Sequence, residues 1–347
     1  MFSVVILNYN GKNYLEQFLP DVVRYSFGAE VVVADNGSTD GSIDFLQKNF
    51  PDVKLICFEK NYGFAEGYNL ALKNLSSEYY VLLNSDVQVT ENWLKTLADF
   101  MESNPNVAAC QPKIRSFCDK QKFEYAGACG GFIDEYGYPF CRGRILNTLE
   151  TDNAQYDDVT EIFWATGACL MVRASEFWQA GGLDGRFFAH QEEIDLCWRL
   201  KARGKSIVCV PQSVVFHVGG GTLNTESPMK TYLNFRNNLL LLYKNLPQKQ
   251  LKKVFFARFF LDVFAALNLL LQGKKENAKQ VFKARRNFKK MRKDFAFDRE
   301  KNLSLTQNPQ PIGMFKGLII WKYYAKGIKT FSVLSNFFEK KTTKDTK

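Results

Sequence analysis

Over the first hundred or so residues, short apolar runs alternate with segments of helical length. Residues 3–7, 30–34, 53–58 and 79–83 are rich in Val, Ile and Leu and have the length of buried strands. Residues 14–25, 41–49, 65–75 and 92–103 carry the helical pattern between and after them. This alternation predicts a parallel sheet joined by right-handed crossovers. Asn104-Pro105-Asn106 ends it. The middle, about 107–222, is less regular and richer in Gly and aromatics. It holds an apolar run over 164–172, a helical pattern over 192–202, and one or two strands over 206–217 around Pro211. Beyond about Thr225 the chain reads as helical, apolar and basic. Three regions are expected: 1–110, 111–225 and 226–347.

Three of the predicted strands end alike. Residues 3–7 run into Asn8-Tyr9-Asn10-Gly11, 30–34 into Asp35-Asn36-Gly37-Ser38, and 79–83 into Asn84-Ser85-Asp86. In an open α/β sheet, ligands collect at the carboxyl ends of the strands. Each segment taken alone also fits a turn or a helix cap. Their shared position points to a site for a polar, phosphate-bearing molecule, with Asp86 as a hard oxygen ligand.

Charge divides the chain. From Lys244 onward there are 25 basic and 7 acidic residues, net +18, against net −8 for the first 243 residues. An acidic body with a basic tail implies separate tasks, the tail meeting an anionic surface. Residues 254–271 include 15 apolar residues among 18, interrupted by Arg258, Asp262 and Asn268. At ~1.5 Å per residue this is about 27 Å, just under a membrane span. Charges at mid-bilayer are costly, and Arg258 and Asp262, four apart, can pair. An interfacial amphipathic helix is expected, reinforced by the basic stretch 283–293. The eight cysteines show no CxxC and no metal-finger spacing, so reduced thiols are expected. The chain opens directly into a strand without a secretory pattern, so secretion is not expected; with the basic tail, the expectation is a cytoplasmic protein peripheral on the inner face of the cytoplasmic membrane.

In order along the chain come Asn8-Tyr9-Asn10-Gly11, Asp35-Asn36-Gly37-Ser38-Thr39-Asp40-Gly41-Ser42, Asn61-Tyr62-Gly63-Phe64-Ala65-Glu66-Gly67-Tyr68-Asn69 and Asn84-Ser85-Asp86. Gly167-Ala168-Cys169-Leu170-Met171-Val172-Arg173, Gly181-Gly182-Leu183-Asp184 and Glu192-Glu193-Ile194-Asp195-Leu196-Cys197-Trp198-Arg199 follow. Together, over about 2–222, they resemble a family 2 glycosyltransferase of the bacterial rhamnosyltransferase-like branch. The resemblance implies an α/β GT-A fold with a mostly parallel central sheet, here followed by a helical membrane-associating extension. It implies a nucleotide-diphosphate sugar donor (UDP- or dTDP-linked), a divalent cation (Mg²⁺ or Mn²⁺), inversion at the anomeric carbon, and a glycan or lipid-linked glycan acceptor in bacterial surface polysaccharide synthesis.

Residue by residue, the resemblance assigns the donor to Leu7, Asn8, Tyr9, Asn10, Asp35, Asn36, Gly63, Asn69, Asn84, Ser85 and Asp86, with Asp35 accepting from the base. Asp86 matches the metal-binding acid, while Asn84 stands where many members carry a second acid. His217, ending the run 214–216, matches a position that helps hold metal or phosphate. Tyr68 replaces a common Arg, so a phosphate-binding cation is expected from Arg142, Arg144 or the tail. Glu193 matches the catalytic base, with Glu192 as its alternate; by composition alone a helix N-terminus is the favoured reading of the pair. Gly167 and Ala168 admit close approach of sugar or acceptor, and Trp164 is a candidate stacking ring. Two other readings are weighed. A dinucleotide-dependent oxidoreductase needs G-x-G-x-x-G after the first strand, which Asn8-Tyr9-Asn10-Gly11-Lys12 lacks. A non-catalytic membrane- or nucleic-acid-binding protein with a degenerate body fits the basic tail, but paired stacking aromatics for RNA are missing; no nucleic-acid partner is expected.

Overall fold

The computed structural model describes residues 1–219 and 227–339. The expected boundary at 225/226 lies outside the described residues. The first four predicted strands form β1 (Phe2–Asn8), β2 (Ala29–Asp35), β3 (Lys54–Cys57) and β4 (Tyr79–Asn84). They are connected by α1 (Lys12–Tyr25), α2 (Ser42–Asn49) and α3 (Gly63–Leu72). β5 (Val87–Val89), α4 (Trp93–Ser103) and β6 (Val107–Ser116) follow. Short strands β7 (Gly131–Asp134), β8 (Pro139–Cys141), β9 (Arg144–Ile145), β10 (Thr148–Leu149) and β11 (Thr160–Glu161) come next. β12 (Cys169–Arg173), α5 (Ala174–Ala180), a 3-10 turn (Gly185–Phe187), α6 (Glu192–Ala202) and β13 (Ser206–His217) complete the body.

The main sheet has the order β11-β13-β6-β12-β4-β1-β2-β3, with β5 beside β13. It is parallel from β4 through β1 and β2 to β3, and mixed beyond β4, where β12 enters antiparallel. Pairing aligns Asn8 with Asp35 and Leu7 with Asn84, so the three polar strand ends finish flush at one edge. Both faces are apolar because strand residues point alternately to each side. Val5, Val32 and Leu82 pack with α3 and α6 residues on one side, and Val4, Val33 and Val81 with those of α1 and α4 on the other. Of the apolar run 164–172, only its end pairs as strand β12. The run 206–217 is a single strand whose register slips between Val210 and Val214, where Pro211 cannot donate to the ladder. All eight cysteines are free thiols.

The C-terminal segment is α7 (Pro228–Asn245), α8 (Gln248–Leu271), α9 (Lys275–Met291), α10 (Ala296–Ser304), β14 (Met314–Phe315), α11 (Ile319–Ala325) and α12 (Phe331–Glu339). It is helical apart from β14, which pairs in parallel with β7 and completes a second sheet of order β10-β9-β8-β7-β14. The Ile319 N–H donates to buried Asp134 at 2.9 Å, and the Phe331 N–H to Glu150 at 2.9 Å. The basic segment is therefore built into the body. Among the described residues α8 alone is long and apolar enough to cross a membrane. Its Arg258 and Asp262 turn inward and are buried.

Candidate active site

The flush strand ends create a polar pocket floor through side chains that fix one another. Asn8 donates to Asp35 Oδ2 at 2.9 Å, and the Ser38 N–H donates to Asp35 Oδ1 at 2.8 Å. Asp35 is fully buried at this edge. Ser38 Oγ accepts from the Asn10 N–H at 2.9 Å, tying the first strand end to the second. Gly11 is required here, because a Cβ would lie 2.6 Å from Asn8 Oδ1. Asn36 bridges to the next segment, donating to Asn61 Oδ1 at 3.1 Å and to the Gly63 carbonyl at 3.1 Å. Asn8 Oδ1 is buried without a hydrogen-bond partner. Tyr9, by contrast, is exposed beside this floor.

Asp86 and His217 meet where β4 ends and β13 ends. His217 Nε2 is 3.1 Å from Asp86 Oδ1 and 3.4 Å from Asn84 Nδ2. Its Nδ1 is 3.4 Å from Glu124 Oε1, an ion-pair distance without hydrogen-bond alignment. Burial alone favours a neutral His217, but the Asp86 and Glu124 carboxylates push it up to about 10. Burial likewise acts to raise Asp86, and His217 with the Gly219 N–H more than offsets it, leaving the carboxyl below its ordinary range. A carboxylate oxygen and an imidazole nitrogen at this spacing form a donor set that suits a divalent cation, whose binding would require His217 to give up its proton. Among the described residues no group of three or more His, Cys, Asp or Glu is placed to hold a metal unaided. A metal held by this pair would need further ligands from water or a bound molecule.

Glu192 and Glu193 open α6 from an unusual turn. Phe188, His190 and Gln191 all have positive φ, at 68°, 70° and 76°. Such φ values are strained for residues with side chains and need outside support. α7 supplies it. Asn237 donates to the carbonyls of Phe187, Ala189 and His190 at 3.0, 2.8 and 2.8 Å. Arg236 donates to the Phe187 carbonyl at 2.8 Å, and Asn238 to Gln191 Oε1 at 3.1 Å. In front, the Phe188 carbonyl accepts from the Phe64 and Ala65 N–H groups at 2.6 and 3.2 Å, capping α3. Gly63, at φ 79°, leaves room for the Phe188 ring, which a Cβ would meet at 2.5 Å. The start of α3 and the carboxylate turn are thus locked together.

One oxygen of each carboxylate, Oε2 of Glu192 and Oε2 of Glu193, is buried with no hydrogen-bond partner. Burial raises both groups. Glu192 is pushed far above the usual range by burial and then by the charges of Glu193 and Asp195. Glu193, also raised by burial, is restrained by backbone N–H groups of the first helical turn and reaches about 7. The pair holds a proton near neutrality, and Glu193 is the member that ionises first. Asp195, one turn on, is instead satisfied by Lys244 at 2.8 Å and Arg199 at 2.9 Å, and packs α6 against α7.

Other expected site residues are engaged in packing or in hydrogen bonds to the backbone. Asn69 is buried and exchanges hydrogen bonds with the Leu183 backbone at 2.7 and 3.0 Å, so it pins the Gly181-Gly182-Leu183 turn. Trp164 is 4% exposed, donates to the Phe132 carbonyl at 2.9 Å and lies against Gly131, which leaves its ring in the core. Gly167 lies against the Phe64 ring, and the Ala168 carbonyl accepts from the Asn84 N–H at 3.0 Å. Leu7 packs beneath Gly67, and Ser85 lies beside Gly11. Tyr68 is fully buried and donates to the Leu83 carbonyl at 3.0 Å, so its position points into the sheet. Arg142 and Arg144 are buried, Arg142 against Asp158 and Arg144 over the Tyr125 ring. Lys230, half-buried on α7, lies close enough for its charge to act on His190 and Glu124. Glu124 and the α7 trio carry no motif of their own. A lone Glu in an aromatic stretch and an Arg-Asn-Asn in a helix are indistinguishable from surface residues until the chain is folded.

The family model for glycosyl transferase family 2 matches residues 3–175. The N-acetylglucosaminyl-diphospho-decaprenol L-rhamnosyltransferase of Mycobacterium tuberculosis is 29% identical over 236 residues, 62% of this chain and 76% of that protein. The fold matches GalNAc-T7 solved with UDP, GalNAc and Mn²⁺ at a TM-score of 0.57, 14% identity, 81% of this chain and 54% of that one. It also matches S. aureus TarS with UDP-GlcNAc at 0.55, with 17% identity and 88% of both chains. The strand-end floor, the Asp86–His217 pair and the two buried carboxylates thus lie in a GT-A fold, and the chain is a glycosyltransferase belonging to family 2.

Proposed function

We propose that this enzyme transfers a sugar, with inversion, from a UDP- or dTDP-linked donor to a glycan or lipid-linked glycan acceptor in bacterial surface polysaccharide synthesis. The observation that carries this reading is the Glu192–Glu193 pair, each with one buried oxygen lacking a hydrogen-bond partner, tied to the start of α3 through Phe188. Asp35 and Asn8 bind the base, and Asn10, Asn36 and Asn84 line the ribose side. Asp86 and, as the neutral imidazole, His217 would hold Mg²⁺ or Mn²⁺, and Lys230 adds charge toward the phosphates. A bound divalent cation neutralises the negative charge that grows on the departing diphosphate. The acceptor oxygen bonds to the anomeric carbon on the face opposite the phosphate, the C1–O(phosphate) bond breaks, and its electron pair leaves with the diphosphate. Glu193 takes the acceptor proton as this happens, and its poise near neutral pH suits that task. The rhamnosyltransferase relative, whose name includes a diphospho-decaprenol acceptor, supports a lipid-linked acceptor and a deoxysugar donor here.

The test is Mn²⁺ binding followed by electron paramagnetic resonance, with UDP or dTDP present, alongside a nucleotide-sugar turnover screen. Mn²⁺ should bind weakly alone and at least tenfold more tightly with the nucleotide, and Asp86→Asn should abolish both that gain and turnover. Full turnover in chelator, or in Asp86→Asn, would remove the metal from the reading.

A further inference from the structure

Helix α8 is built inside out. Its inward stripe is Val254, Arg258, Asp262 and Ala266, spaced four apart, and the two charged members are completely enclosed. Arg258 donates to the Tyr136 carbonyl at 2.9 Å, pairs with Asp262 at 3.1 Å, and bonds Asn238 Oδ1. Asp262 also pairs with Arg285 of α9. The opposite stripe is Phe256, Phe260, Phe264, Leu267 and Leu271, and it faces out, with Phe256 70%, Phe264 65% and Leu271 88% exposed. At 1.5 Å per residue, this stripe is about 22 Å long. A soluble helix places its apolar side inward and its charges outward. The reversal requires an apolar medium on the outer side, since exposed aromatic patches of this extent mark interaction surfaces.

The surroundings identify that medium. Lys249, Lys252 and Lys253 are exposed at the start of the stripe. α9 folds back along α8, with Phe255 stacked on Phe288 and Arg285 on Asp262, and bears Lys279, Lys283, Arg286 and Lys290 outward around exposed Phe282. The one acid of α8, Asp262, is buried, so its exposed surface carries apolar, basic and neutral polar side chains but no acid. Lysines flanking a plane of aromatics match anionic headgroups above an acyl layer. The inward charges belong to the body of the protein, which keeps α8 lying along a surface rather than crossing it. We propose that the α8 stripe with its basic flanks is the face by which this enzyme lies on an anionic lipid bilayer. Phe256, Phe260 and Phe264 insert among the acyl chains, and the lysines meet the headgroup phosphates. This surface stands independently of the sugar chemistry, because bilayer binding needs no turnover.

The test is flotation of the full chain with vesicles of phosphatidylcholine alone and of phosphatidylcholine with 30% phosphatidylglycerol. Light scattering in solution gives the oligomeric state in parallel. The wild type should float with the anionic vesicles at least tenfold more strongly than with neutral ones, and high salt should weaken this. Phe256→Ser/Phe260→Ser/Phe264→Ser should reduce binding at least tenfold, while Lys252→Glu/Lys253→Glu should reduce it only on anionic vesicles. All these side chains are exposed, so thermal unfolding should match wild type. Vesicle binding that is absent, or unchanged in the phenylalanine variant, overturns the proposal. So does a stable dimer that the phenylalanine variant converts to monomer without any vesicle binding, which assigns the stripe to a second copy.

Discussion

At the start of α6, Glu192 and Glu193 bury carboxylate oxygens that no donor reaches, whereas in α8 the buried Arg258 and Asp262 are enclosed by partners. The contrast separates two uses of buried charge. An enclosed, paired charge holds architecture: removing one partner is expensive, but replacing the whole set by apolar groups can be nearly neutral. An enclosed, unpaired carboxylate is held at a standing disadvantage, and such groups concentrate where a proton must move near neutral pH. One side chain touches both regions. Asn238 donates to Gln191, the residue before Glu192, and accepts from Arg258. The outward-facing helix α8 and helix α6 with its two carboxylates are therefore one amide apart.

The largest effect on stability is expected from Asp262→Ala. It strands Arg258 and Arg285, and unfolding in urea should show a loss of roughly 3–5 kcal/mol. Changing Arg258, Asp262 and Arg285 together to Met, Leu and Met should recover most of it. If the single change is silent, the α8 charges are not the paired set described here.

Next in size is the opposite response at α6. Burial holds Glu193 at about 7 rather than its ordinary 4.5, so the unfolded chain loses this proton first as pH rises. The folded form therefore binds more protons between those values, and stability falls across that window and stays lower above it. At 1.36 kcal/mol per pKa unit the penalty is on the order of 3 kcal/mol. Glu193→Gln should match the wild type near pH 4 and melt a few degrees higher at pH 8. A lower Tm at pH 8 would mean that the carboxylate has a stabilising partner.

The smallest effect tests the link between the regions. Asn237→Ala removes the donor from the carbonyls of Ala189 and His190, while the Phe187 carbonyl keeps Arg236; an unmet carbonyl costs about 1–3 kcal/mol, and less where water replaces the donor. Because the strained turn then relaxes, turnover should fall about tenfold with donor affinity unchanged. Equal losses in both would make Asn237 a purely structural residue.

Much of this was legible in the chain before folding. The parallel strands follow from alternating apolar runs, and the donor floor from three polar strand ends that pairing brings flush, Asn8 beside Asp35 and Leu7 beside Asn84. The residues that escaped are those whose role depends on distant partners. Glu124 gains meaning only from His217, and Asn237 only from the backbone of a turn about fifty residues earlier. Trp164 reads as a sugar platform in sequence, yet its indole N–H finds the Phe132 carbonyl inside the core. Arg258 and Asp262 read as interruptions of an apolar helix, and it is their burial that frees the other face to be uniformly apolar.

The most direct measurement is the pH dependence of donor turnover in the wild type, Glu193→Gln and Glu192→Gln, with nucleotide-diphosphate affinity measured on each. Wild-type turnover should rise with an apparent pKa near 7. Glu193→Gln should lose that rise and about 10²–10⁴-fold in rate while binding the nucleotide normally. Glu192→Gln should keep the rise with a smaller loss, since Glu192 already holds its proton when Glu193 ionises. A Glu193→Gln enzyme with wild-type rate and profile would contradict the assignment of the base.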